Sequence, residues 1–363
     1  MKKVALSFIV VLCSIALNAA EKVEKRVLLY PSVDQYGDSV TLSGLLSVPK
    51  SKPAKGIILI PHFTISADKE APSNKVTKEA KPFRDEYVIL MPDYIGYGVT
   101  KNRIHPYLHG ELTARNCVDM LLYAMPVLDS MKLNIPLDSI YIIGFSQGGA
   151  SAMWILKLIE EQYCGQLHVK KCFAGSGPYD VATTYDYAVM RDRINMPLTV
   201  SMLVVGTNEA YGLDLCYDNI FTNHMKHTYI RDIKDKKNGI VSLYFKTPNH
   251  NLSHWMTKEG RDKNLPETNK MYRGFLRSSL VHYSITGDND SICPHWIPKA
   301  PVYVFHSEND DIVTFLCAEH LHRRYANLPN ITWDFGRYGS HLSSLQKFFS
   351  RVKKMLNEEC KNK

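Results

Sequence analysis

The chain has 363 residues, 45% of them hydrophobic and 22% charged, enough to bury a large core as one big domain or one domain carrying an insertion. Lysine and arginine number 44 against 36 acids, and they are scattered, with only short groups such as Lys234-Asp235-Lys236-Lys237. That distribution describes a solvated surface, so no nucleic-acid partner is expected.

In chain order, Met1-Lys2-Lys3 is followed by an apolar run over residues 4–17 and by Asn18-Ala19-Ala20 before Glu21. A charged start, an apolar stretch and small residues are the order of a secretory signal peptide, cleaved near Ala19 or Ala20 to give a secreted or periplasmic protein. A lipoprotein reading at Cys13 is weaker, because bulky Leu12 stands where a small residue is expected. The run is short for a membrane anchor, and no other stretch is long and apolar enough, so no stable span is expected after its removal. Losing residues 1–20 takes Lys2 and Lys3, which leaves 42 basic residues against 36 acids, a charge of +6. Seven of eight cysteines remain, so at least one thiol is unpaired within the chain. Cys216 with Cys293 and Cys164 with Cys172 are the candidate disulfides.

Residues 23–33 and 39–48 read as paired strands around the turn Gln35-Tyr36-Gly37-Asp38. Continuous apolar runs at 56–60 and 87–91 suit strands buried on both faces. Helical periodicity covers 110–131. A strand at 139–143, a helix at 150–159, strands at 169–174 and 302–305 and a helix at 343–356 complete the alternation. This pattern predicts a mostly parallel central sheet flanked by helices. Between about Asp180 and Pro298 it fails, giving segments rich in aromatic, lysine and histidine residues. The expected organisation is therefore a leader at 1–20, a first part of an α/β core at 21–180, an inserted cap or lid at 181–298, and the rest of the core at 299–363.

Between the strand at 139–143 and the helix at 150–159 lies Gly144-Phe145-Ser146-Gln147-Gly148. Strand, glycine-flanked serine and helix are the context of a nucleophile elbow, which exposes the hydroxyl and aims the free N–H groups of the helix start at developing negative charge. A serine hydroxyl needs a histidine to take its proton and a carboxylate to orient that histidine, and in this architecture they follow in the order Ser, Asp or Glu, His. The strand at 302–305 leads into His306-Ser307-Glu308-Asn309-Asp310-Asp311-Ile312-Val313, and Gly336-Arg337-Tyr338-Gly339-Ser340-His341 precedes the last helix. Asp310 and His341 are the expected partners of Ser146. Asp311 is a local rival and Asp180 a distant one, each readable as a turn or capping residue. The pairs His224/His227, His250/His254 and His320/His322 have ligand-like spacing, but without His-Glu-x-x-His or an evident third ligand they read as surface histidines, so no metal is expected.

These motifs resemble the α/β-hydrolase superfamily, whose acid loop commonly reads H-G-x-x-D-x-x-V. His306, Asp310 and Val313 match it, and Ser307 stands where glycine is usual. Met91-Pro92-Asp93-Tyr94-Ile95-Gly96-Tyr97-Gly98 resembles the loop after the family's fourth strand, and Pro61-His62-Phe63-Thr64 the end of its third. The resemblance implies an oxyanion hole made by the backbone N–H groups of Gln147 and Thr64, with Phe63 replacing a family glycine; His62, Asp93 and His306 are expected to be structural. With His105-Pro106-Tyr107, the Gly149 that follows the elbow, and Ala174-Gly175-Ser176-Gly177-Pro178-Tyr179-Asp180, the chain is similar to secretory-lipase-like esterases. The implied function is a serine hydrolase that cleaves carboxylic esters through an acyl-serine, takes a small-molecule or acylated ester substrate and needs no cofactor. The alternatives are a serine peptidase of the same fold and a secreted binding protein with a vestigial site.

Overall fold

The computed structural model describes residues 22–50, 53–75, 77–133, 135, 139–247, 249–283 and 293–359; the expected leader, with Cys13, lies outside the described residues. Eight strands form one sheet: β1 (Val23–Val33), β2 (Ser39–Pro49), β3 (Ile57–Leu59), β4 (Val88–Pro92), β5 (Ile140–Phe145), β6 (Val169–Gly175), β7 (Val302–Ser307) and β8 (Ile331–Gly336). Their order across the sheet is β1-β2-β4-β3-β5-β6-β7-β8. β2 pairs antiparallel with β1 and β4, and the neighbours from β4 onward run parallel. The β1–β2 register follows from its turn, where Asp34 Oδ1 accepts the N–H groups of Tyr36 and Asp38 and Gly37 takes a left-handed φ of 84°.

β3 and β4, inside the sheet, are apolar and buried at every position because both faces are covered. On β5, Ile140 and Ile142 pack with α1 (Gly110–Ser130) and α2 (Gln147–Gln162), whereas Tyr141, Ile143 and Phe145 meet Phe348, Val352 and Leu356 of the C-terminal helix His341–Glu359. Between β6 and β7 run α3 (Val181–Arg191), α4 (Pro197–Tyr211), several short helices and the helix Pro266–Arg277. These enclose a separate apolar cluster that includes Phe221, Trp255 and Phe275, joined by Tyr107 and Leu108 from the loop before α1.

Two elements exceed the sequence expectation. β8 and the helix Leu316–Tyr325 fill the stretch between the acid loop and the last helix. That last helix starts at His341, two residues before its apolar periodicity, because Asp311 Oδ1 accepts the His341 N–H at 2.9 Å. The expected disulfides do not form, since Cys164, Cys172 and Cys216 are free thiols. Cys172 faces inward from β6, its Sγ 3.6 Å from the Ala152 carbonyl, while Cys164 is exposed beyond α2; Cys216 is exposed whereas Cys293 is buried. Among the described residues no helix is long and apolar enough to cross a membrane.

Candidate active site

Ser146 sits between β5 and α2 at φ 58° and ψ −125°, a strained conformation for a residue with a side chain. Its N–H is anchored on the Gly175 carbonyl at 2.8 Å. The two motif glycines are required by close approach: a Cβ on Gly144 would lie 1.9 Å from the Gly148 carbonyl oxygen, and one on Gly148 would lie 2.1 Å from that of Pro61. The second contact brings the start of α2 against the loop that follows β3.

The three residues expected to act together are in hydrogen-bond sequence. His341 Nε2 is 2.8 Å from Ser146 Oγ, and His341 Nδ1 is 2.6 Å from Asp310 Oδ2. A carboxylate only accepts, so Nδ1 carries the hydrogen and Nε2 is left to receive the serine proton. Asp310 Oδ1 accepts the N–H groups of Ile312 at 3.0 Å and Val313 at 2.8 Å, which fixes the carboxylate plane. Burial alone would raise its pKa, but His341, the His306 ring and the Ile312 N–H outweigh burial and hold it below the ordinary carboxylate value. His306 lies behind it, with Nε2 donating to the Val313 carbonyl at 3.1 Å, and does not approach Ser146 as a base.

The two rival acids are engaged elsewhere. Asp311 accepts from the His341 N–H through Oδ1 and from Asn195 Nδ2 through Oδ2. Asp180 caps α3 through the Thr183 N–H and also meets His282 Nδ1 at 3.0 Å and His320 Nδ1 at 2.7 Å. Of the other spaced histidines, His250 contacts the Ile194 carbonyl, His322 packs edge-on against Trp333, and His224 and His254 meet each other and Trp255 in tilted and edge-on ring contacts. No group of three histidine, cysteine or acidic side chains that could hold a metal occurs among the described residues.

Around the serine, Gln147 is the first residue of α2, and among the described residues neither its backbone N–H nor that of Thr64 has an intramolecular acceptor. The Gln147 side chain points away, donating Nε2–H to His105 Nε2 at 2.8 Å, while His105 Nδ1 donates to the Ile95 carbonyl. Burial lowers the His105 pKa to about 3, which keeps the ring neutral and able to accept. The Thr64 hydroxyl pairs with Tyr107 OH at 2.8 Å. Asp93 accepts from Ser43 and the Ser73 N–H, and His62 stacks on Tyr94, so both serve the scaffold.

Ser146 opens on two cavities that share Thr64. One, about 270 Å³, is lined by Tyr107, Tyr185, Arg191 and Asn195 among others. The other, about 290 Å³, is more apolar, with Phe63, Met196, Val241, Leu342 and Leu345.

This architecture recurs in solved structures. An esterase from Xanthomonas oryzae, LipA, described as degrading rice cell wall, superposes with a TM-score of 0.77 at 19% identity over 93% of this chain and 91% of that one. Candida antarctica lipase A in its closed state superposes with a TM-score of 0.63 at 16% identity, over 89% and 74% of the two chains. The chain has the α/β-hydrolase fold. No family model and no curated protein matches the sequence.

Motif order in the sequence points to Ser146, His341, Asp310 and the candidate oxyanion residues. What holds them does not show there: Tyr107 on Thr64, His105 on Gln147, and two acids of the β3–β4 connection, Glu70 and Glu79, which bind the loop after β3. His105-Pro106-Tyr107 is visible as a motif, but nothing in spacing says which atoms it meets.

Proposed function

We propose that the chain is an exported serine hydrolase that cleaves carboxylic esters. The observation that carries this reading is the hydrogen-bond sequence from Ser146 Oγ through His341 to the buried Asp310. Ser146 attacks the ester carbonyl as His341 Nε2 takes its proton; the imidazolium formed is stabilised by Asp310. The backbone N–H groups of Gln147 and Thr64 receive the carbonyl oxygen as it becomes negative. His341 then protonates the departing alcohol, and the acyl-serine is hydrolysed by a water that His341 activates in turn. The helical insertion at 181–298 acts as a cap whose residues line both cavities, and the more apolar cavity takes the acyl chain.

The deciding experiment measures kcat/KM for matched panels of short and medium acyl esters and aminoacyl amides, with Ser146→Ala as blank. Ester turnover that disappears in the variant is expected, with a loss of at least about 10⁴-fold. Ser146-dependent amide cleavage with only background ester turnover would make the protein a peptidase, and no turnover of either would favour a binding protein. Export is tested by mass spectrometry of the mature N-terminus, which is expected to begin near residue 20 or 21; an intact Met1 on exported protein would contradict it.

A further inference from the structure

The loop after β3 carries the donor that the reaction requires, yet it has no regular structure of its own, so something else must fix its peptides. Each neighbour of the Thr64 N–H is tied. Tyr94 OH donates to the His62 carbonyl at 3.1 Å, Tyr107 pairs with the Thr64 hydroxyl, and Glu70 Oε2 accepts the N–H groups of Ser66 and Ala67 at 3.1 Å each. The Phe63 N–H, one peptide before the Thr64 N–H, donates to Glu79 Oε1 at 3.0 Å.

Glu79 is out of place by the usual rules. It is 1% exposed, and among the described residues its surroundings supply the Phe63 N–H and the Thr77 hydroxyl but no cation. An acid buried without a cation costs stability, so what justifies it here is the hydrogen bond it accepts from the loop that carries the donor. Burial pushes its carboxyl up to about 8, so near neutral pH it is mostly an uncharged acid that still accepts through Oε1. The Phe63 side chain lines the apolar cavity beside Ser146, so rotation of this peptide would move cavity wall and oxyanion donor together.

We propose that Glu79 is a positioning residue for the oxyanion site: by holding the Phe63 peptide it orients the Thr64 N–H toward the oxygen of a group bound to Ser146. The role rests on the serine-hydrolase reading but not on the substrate being an ester. It is geometric, through one hydrogen bond to the peptide that precedes the donor, and no proton passes through Glu79.

The test uses Glu79→Gln, which keeps an acceptor of the same reach, Glu79→Asp, which draws the carboxyl back by one methylene, and Glu79→Ala. For each, the rate of Ser146 phosphonylation by a fluorophosphonate is measured below the melting temperature, with kcat and KM for a p-nitrophenyl ester alongside. The phosphoryl oxygen occupies the oxyanion position, so labelling reports the hole without ester chemistry. Glu79→Gln is expected to stay within about threefold of the parent, while Glu79→Ala slows labelling and kcat by about 10- to 100-fold with KM within about twofold, and Glu79→Asp falls between. If Glu79→Ala does not fold, the contrast between Gln and Asp decides. A folded Ala or Asp variant with parental labelling and kcat would overturn the assignment, as would a Gln variant as impaired as either. A parent protein that labels but turns over no ester would defeat the ester reading alone, whereas failure of the parent to label would remove both.

Discussion

Asp310 and Asp311 are adjacent acids with different tasks, separated by which way the acid loop turns each side chain. Asp310 turns inward onto His341 Nδ1, and Asp311 meets the backbone N–H of the same residue. Asp310→Asn places an amide where only an acceptor fits, favouring the wrong imidazole tautomer, so kcat is expected to fall by about 10³- to 10⁴-fold with little change in melting temperature. Asp311→Ala removes a helix-start acceptor and is expected to cost about 1 kcal/mol of stability and less than about tenfold in kcat. Parental kcat in Asp310→Asn would refute the assignment. Glu79 yields a prediction of another kind. Its carboxyl is raised from an ordinary 4.5 to about 8, so between these values the folded protein keeps a proton that the unfolded chain has lost. Stability contributed by the buried neutral acid is complete below about pH 4.5, declines as pH rises, and is gone above about pH 8. Glu79→Gln removes that dependence, so its melting temperature relative to the parent should climb between pH 5 and 9; parallel curves would show an acid that is not raised. The hydrogen-bonded set Ser146, Asp310 and His341 is legible in the sequence because motif order and strand ends point to these residues. Glu79 is not, since Lys78-Glu79-Ala80-Lys81 reads as solvated, and the burial of this one acid is decided by residues distant in the chain.

At the scale of elements, the strand–serine–helix corner was legible because its constraints are local, and the structure adds the atoms that make its glycines obligatory. A methyl at residue 148 would push the start of α2 off the Pro61 carbonyl and spread the gap between the Gln147 and Thr64 donors. Gly148→Ala is therefore expected to lower kcat by at least about 10²-fold and to cost about 1–3 kcal/mol. Gly165→Ala, where a Cβ meets nothing within 4 Å, is the control and should match the parent in both. Equal behaviour of the two variants, by activity assay and thermal melt, would mean that α2 tolerates displacement. Elsewhere the element reading was incomplete for identifiable reasons. β8 alternates Ile331, Trp333 and Phe335 with Thr332 and Asp334, a period-2 signal, but as an edge strand it is only partly buried past Ile331 and lacks the unbroken apolar run that marks β3 and β4. The paired cysteines misled because sequence spacing says nothing of direction: Cys172 alternates inward on β6 while Cys164 stays outside.

For the whole molecule, the main question is what ties the helices between β6 and β7 to the sheet, since their apolar cluster is separate from those that flank it. Polar contacts concentrate on one stretch, residues 232–240. Ser66 Oγ donates to the Asn238 carbonyl at 2.7 Å, Glu70 Oε2 accepts the Ile240 N–H at 3.2 Å, and the Asp68 N–H donates to the Lys236 carbonyl at 3.1 Å. Lys236 makes the most of these contacts. Its buried ammonium donates to the carbonyls of Gly96, Lys101 and Arg103 in the loop after β4 and lies 5.2 Å from the Tyr97 ring centre. Lys236→Met keeps the stem but leaves those carbonyls without their donor, a cost of about 1–3 kcal/mol. The consequence should reach the active site unevenly. Ile240, the last residue of this stretch, and Val241 after it line the apolar cavity, whereas Ser146, Asp310 and His341 stand on the sheet and its own loops. Loosening the latch should therefore raise KM for medium acyl esters by several-fold and leave kcat within about twofold, with faster hydrogen exchange confined to residues 232–245. A uniform rise in exchange across β5 and α2, or a fall in kcat at constant KM, would instead mean that insertion and sheet open as one unit and that Lys236 supports the whole fold.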